Sequence, residues 1–192
     1  GLYRNESAQD VPGSPLVILE AFHEAAILIN VRQNRRKPIQ MDLELICIDD
    51  CSYALGYLHH VLEERGYGEA LATGSIKLVN GKFATHCAAT IQRAQDRSPK
   101  SGRALFVLDQ YGYSAVPMDC LRDIFAKLKH AEVILTFYID SLISYLNEKN
   151  LTDFELSTGI SSSVNASDLD EMKQSPQWRV QRCQRAGQLH LT

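Results

Sequence analysis

An α/β fold with a mainly parallel sheet is what this sequence predicts, and three observations predict it. Short apolar runs rich in Val, Ile, Leu and Phe alternate along the chain with stretches of helical periodicity. Two of the runs, Leu43 to Asp49 and Ala104 to Asp109, finish on a carboxylate. Each is followed by a turn and then a helical stretch, the order required by crossover units that lay successive strands parallel. The fold class is therefore a parallel sheet with helices on both faces.

The chain is organised around Ala104-Leu105-Phe106-Val107-Leu108-Asp109, followed by Gln110-Tyr111-Gly112-Tyr113-Ser114-Ala115-Val116-Pro117. An unbroken apolar run ending in an acid reads as a strand buried on both faces. It delivers its acid to the carboxyl edge, where open α/β sheets bind ligands. Pro117 suits the first turn of a helix, Met118 to Lys129, since its missing N–H would have no partner there anyway.

Upstream of this stretch, Gly1 to Gly13 is polar, carries two glycines and a proline, and reads as a loop entered midway. Ser14-Pro15 reads as an N-cap and first helical residue. Leu16, Leu19, Phe22, His23, Ala26, Ile27 and Val31 then recur at helical spacing, so a helix is expected from Pro15 to Arg35. Arg32, Arg35, Arg36 and Lys37 crowd its carboxyl end, where cations oppose the helix dipole or make a basic patch.

Leu43 to Asp49 is the next strand, and Ser52 to Arg65 the next helix, with Leu55, Leu58, His59 and Leu62 on one face and Gly66 at the stop position. Ser75 to Phe83 is a strand interrupted by Asn80-Gly81, and Ala84 to Gln95 a helix. Ala131 to Tyr138 is the last strand and Asp140 to Lys149 the last clear helix. Beyond Asn150 the apolar signal thins. Residues 1–150 are thus expected to form the α/β domain and 151–192 a C-terminal extension or the start of an inserted subdomain, whose basic tail holds Trp178.

Composition bounds the function. With 192 residues, 45% hydrophobic and 22% charged, the chain supports one core with an appendage. The net charge of −3 and the lack of a long basic block mean that nothing forces a nucleic-acid partner, though a local patch leaves room for one. Cys47, Cys51, Cys87, Cys120 and Cys183 lack Cys-x-x-Cys spacing and a matching His pattern, which argues against a zinc site or disulfide framework and for reduced thiols. No signal peptide and no apolar run of bilayer-spanning length is read, so the expectation is a cytoplasmic protein without a membrane partner.

The candidate site residues are the acids that end strands. An acid at the end of the second strand suits adenosine-containing cofactors, because the two ribose hydroxyls need an acceptor for both hydrogen bonds. Asp49 fits that place, Asp50 is its neighbour, and Asp10 and Asp140 are lesser candidates. The alternative for Asp49-Asp50 is to cap the following helix. At the central strand, Asp109-Gln110-Tyr111-Gly112 couples a carboxylate, an amide and an aromatic, which together suit an exocyclic amine on a flat base. The alternative there is a turn in which Asp109 caps backbone N–H groups and Tyr111 covers the core.

Pro12 to Leu16, Ile48-Asp49, Phe106 to Tyr113, Val116-Pro117-Met118 and Glu132 to Phe137 resemble, in order and rough spacing, the three-Cys-motif partner protein family (TcmP), with Ser175 to Arg179 a looser match. The resemblance implies a Rossmann-like fold of the S-adenosylmethionine-dependent methyltransferase type. It implies S-adenosylmethionine as cofactor and a three-cysteine-motif protein as partner. It also implies that Gly1 trails the cofactor loop, Asp49 holds the ribose, Phe83 packs on adenine, and Asp109 with Tyr111 positions an amino group of a base.

The chain departs from the family at three places. Only Gly1 matches the glycine loop, Gln110 replaces a proline, and Lys82 replaces an acid. These departures lead to two expectations: the chain as given binds the cofactor weakly and lacks turnover, or the fold serves as an interaction module without catalysis. In the implied strand order, third-second-first-fourth-fifth, the first strand is missing. The strand at Leu43 to Asp49 is then expected to pair directly with Ala104 to Asp109, or another segment to fill the slot.

Overall fold

The structure, a computed structural model, describes residues 2–4, 10–32, 37–38, 41–100, 103–110, 114–136, 152 and 154–155. Eleven elements follow one another: β1 (Leu2–Arg4), β2 (Asp10–Pro12), α1 (Ser14–Arg32), β3 (Leu45–Asp49), α2 (Ser52–Glu64), α3 (Gly68–Ala72), β4 (Ile76–Asn80), α4 (Phe83–Arg97), β5 (Arg103–Asp109), α5 (Met118–Lys127) and β6 (His130–Thr136). They fall into two compact units, Gly1–Lys82 and Phe83–Thr192. The expected boundary near residue 150 lies outside the described residues.

The class is mixed α/β with short parallel pairs. In the first unit β3 and β4 run parallel, Leu45 opposite Ile76 and Asp49 opposite Asn80. In the second β5 and β6 run parallel, Arg103 opposite His130 and Asp109 opposite Thr136. Helices supply both crossovers, as parallel neighbours require. Among the described residues each of these strands has a single ladder partner, so the expected pairing of 43–49 with 104–109 is in neither ladder. The segment read as an opening loop contains an antiparallel pair, β1 with β2, Leu2 opposite Pro12. Three-residue strands are too short to show an alternation, which is why the sequence reading missed them.

The first unit is closed by Leu16 and Leu19 of α1, Leu58, Val61 and Leu62 of α2, and Ile76 of β4, with Leu45 and Cys47 of β3 against them. Helix α2 ends where Gly66 allows it. Gly66 has φ +86°, its N–H donates to the Glu63 carbonyl at 3.0 Å, and the Tyr67 N–H donates to Leu62 at 2.9 Å. This is a Schellman stop, and the Tyr67 and Leu62 side chains pack in the same cluster beneath it. Glu44, 5% exposed at its side chain, is matched by Lys77 Nζ at 3.1 Å.

Helix α1 corrects two expectations. Only Leu16 and Leu19 are buried; His23 is exposed, and Ile27 and Val31 are 50% and 72% exposed. The helix is apolar on most sides, so periodicity could not say which side would be covered. Its 19 residues, at mean hydropathy 1.4, also meet the length and composition of a membrane span, contrary to the expectation that no such run exists. Its first turns belong instead to the core just described, and Glu20 faces Arg65 of the loop after α2 at 3.6 Å.

The second unit is closed by Cys87 and Ile91 of α4, Phe106 and Leu108 of β5, Val116, Ile124 of α5, and Leu128. Phe106 and Leu108 share one face of the strand, as period-two geometry demands. Leu105 is 41% exposed and Ile134 of β6 is 56% exposed, so the expected burial of β5 on both faces is corrected to burial on one. Both flanking helices pack on the Phe106 and Leu108 face.

Candidate functional site

The expected site residues divide between the two units. In the first, Asp49 ends β3 and is exposed. Its Oδ1 accepts the Cys51 N–H at 2.8 Å, an Asx-type turn that leads the chain into α2. Its backbone carbonyl accepts the Gly81 N–H at 3.0 Å and Asn80 Nδ2 at 3.2 Å. Gly81 makes this approach at φ +146°, open to glycine and strained for other residues. The strand ends of β3 and β4 are therefore locked together at the carboxyl edge. Asp50 is exposed beside them.

A groove of about 390 Å³ opens next to this edge, lined by Ser52, Leu55, Gly56, His59, His60, Leu78 and Asn80. Neither Asp49 nor Asp50 is among its lining residues. The sequence reading had no signal for the groove, because its walls come from one face of α2 and one end of β4. The two histidines reach Glu63 and Glu64 one turn on, at 3.5 and 3.3 Å, on exposed surface.

In the second unit Asp109 ends β5 with an exposed side chain. Gln110 turns the other way: it is 3% exposed, and its Oε1 accepts the Val116 N–H at 3.2 Å. That bond ties Gln110 to Val116, which is itself buried in the core. Adjacency in sequence groups Gln110 with Asp109 as a base reader, and the structure makes it a brace between the end of β5 and Val116. Tyr111 lies outside the described residues, as does Gly1. Helix α5 starts at Met118 as expected, with Pro117 as its N-cap at φ −62° and ψ 144°.

Phe83 opens α4 instead of ending the preceding strand. Its half-buried ring meets Phe106 edge-on, with centroids 6.4 Å apart and planes at 74°. A second cavity, about 420 Å³, is lined by Gln95, Asp96, Ser98, Pro99, Lys100, Lys127 and Lys129. These residues precede β5 and β6, so the cavity lies at the amino edge, the end away from Asp109. Among the described residues no cluster of His, Cys, Asp and Glu could hold a metal ion, and Cys47, Cys51, Cys87 and Cys120 are free thiols.

Fold and site together define a mixed α/β protein with an exposed acid at the carboxyl end of each of two parallel pairs. Comparison with known protein families, with curated proteins and with solved structures finds no match.

Proposed function

We propose that this chain is a Rossmann-like, S-adenosylmethionine-dependent methyltransferase-type protein of the three-Cys-motif partner kind, acting on an amino group of a nucleic-acid base. The observation that carries the reading is Asp49: an exposed carboxylate at the carboxyl end of a parallel strand, held by the turn into α2. In this reading its carboxylate receives the ribose hydroxyls, and the parts given to Phe83 at the adenine and to Asp109 with Tyr111 at the acceptor amine rest on the family resemblance alone. Methyl transfer to an amine needs alignment and stabilisation of developing positive charge more than a strong base, so a carboxylate beside the amine is chemically sufficient.

A second reading, an interaction module that binds a three-cysteine-motif protein without turnover, is favoured by α1. Val17, Ile27, Leu28 and Val31 stand 50% or more exposed there, an apolar surface of the kind that marks protein contacts. Calorimetric titration with S-adenosylmethionine separates the two. The cofactor reading expects binding that Asp49→Ala weakens at least about tenfold, the order of one charge-assisted hydrogen bond, while Asp50→Ala leaves it within twofold. Equal binding by wild type and Asp49→Ala would overturn the assignment of Asp49, and no binding by the wild-type chain would leave the interaction module.

A further inference from the structure

Outside the site just described, the second unit holds a pair of thiols with no role in it. Cys87 lies in the second turn of α4 and is 3% exposed; Cys120 lies in the first turn of α5 and is half-exposed. Cys87 Sγ sits 3.9 Å from the Cys120 carbonyl oxygen. Both belong to the cluster that joins the two helices to β5. A thiol on one helix, separated by 33 positions in sequence, thus lies against the cysteine residue of the other.

We propose that Cys87 and Cys120 form a reversible disulfide that staples α4 to α5 across β5. The stretch it would close contains β5 and the loop braced by Gln110, so the staple restrains the segment that carries Asp109. The inference stands whether or not the unit binds a nucleoside.

The chemistry is thiol–disulfide exchange with a low-molecular-weight disulfide such as oxidised glutathione. Accessibility assigns the first attack to Cys120: its thiolate forms a bond to one glutathione sulfur, and the other glutathione leaves as a thiolate. Cys87 sulfur then attacks the Cys120 sulfur of that mixed disulfide, the second glutathione departs, and the Cys87 proton passes to it. Two protein thiols and one oxidised glutathione become one protein disulfide and two reduced glutathiones. Burial, and the neighbouring Cys120 thiol after it, push the Cys87 thiol up to about 12. Cys87 is for that reason slow to react with a bulk oxidant, and its attack on the mixed disulfide depends on its place beside Cys120.

The test is equilibration of the full chain in glutathione redox buffers, alkylation of remaining thiols, proteolysis and mass spectrometry, with thermal unfolding run in parallel. The expected result is a cross-linked peptide pair containing Cys87 and Cys120, and a thermal midpoint that rises on oxidation, falls back with reductant and no longer responds in Cys120→Ala. Cys51→Ala should keep the whole response, since Cys51 is exposed and in the other unit. The proposal is overturned if Cys120 ends as a glutathione mixed disulfide while Cys87 stays alkylatable, or if Cys120 pairs with Cys51 or Cys183. It is equally overturned if both thiols remain reduced while Cys51 is oxidised, or if the cross-link forms without raising the midpoint.

Discussion

Gln110 shows how one side chain changes role between sequence and structure. Next to Asp109 and Tyr111 it reads as part of a ligand-reading edge, yet it is buried and its Oε1 holds the Val116 N–H. Gln110→Ala leaves that buried donor unpaired, which costs about 1–3 kcal/mol. Urea unfolding should show a lower midpoint at unchanged slope; an unchanged midpoint would mean that the loop is braced elsewhere. Cys47 makes a second residue-scale case. Burial pushes its thiol up to about 11 from an ordinary 9.0, so the folded chain keeps a proton that the unfolded chain releases between those values. Stability is therefore flat below pH 9 on this account and falls as pH rises toward 11, by at most about 1.4 kcal/mol per pH unit. Cys47→Val should flatten part of that fall in denaturation curves recorded from pH 8 to 11, and the buried Cys87, also pushed up, adds to it in the same direction.

At the scale of elements, α2 was the most legible part of the chain. Leu55, Leu58 and Leu62 recur at helical spacing and all three are buried, and Gly66 stops the helix in the left-handed region. His59, counted on the same face by spacing alone, is exposed, because the sheet covers only a narrow stripe of the helix. Gly56 lies inside α2 with nothing within 4 Å of the position a Cβ would take. Gly56→Ala should therefore stabilise the fold by about 0.5–1 kcal/mol, the usual helical cost of glycine. A raised thermal midpoint checks it, and a lowered one would mean that the groove beside Gly56 closes in solution. Helix α3 escaped the sequence reading because five residues carry too little periodicity to be seen.

For the whole molecule, the consequence of two compact units is two cores. Leu62 and Ile124 are each fully buried, one in each unit, so Leu62→Ala and Ile124→Ala should each cost about 2–5 kcal/mol. Hydrogen exchange should locate the losses: Leu62→Ala in α2, β3 and β4, and Ile124→Ala in α4, β5 and α5. Loss of protection spread evenly over the chain in both variants would contradict separate cores. The sequence reading expected a single core over residues 1–150. Composition sets how much apolar surface there is to bury, and it carries no information on how many clusters that surface will make.

The type and order of the longer elements from α1 onward were determined by the sequence itself. Apolar runs ending at Asp49 and Asp109, helical spacing after each, and Gly66 in place are local signals, and local backbone and burial preferences act on them directly. The side-chain roles were decided only in three dimensions. Whether β5 is covered on one face or two, whether α1 is core or surface, and whether Gln110 points out or in all depend on which elements pack against them. A residue's exposure is a property of its neighbours in space, and for Asp49, Cys87 and Cys120 those neighbours come from turns and helices that spacing along the chain does not bring together.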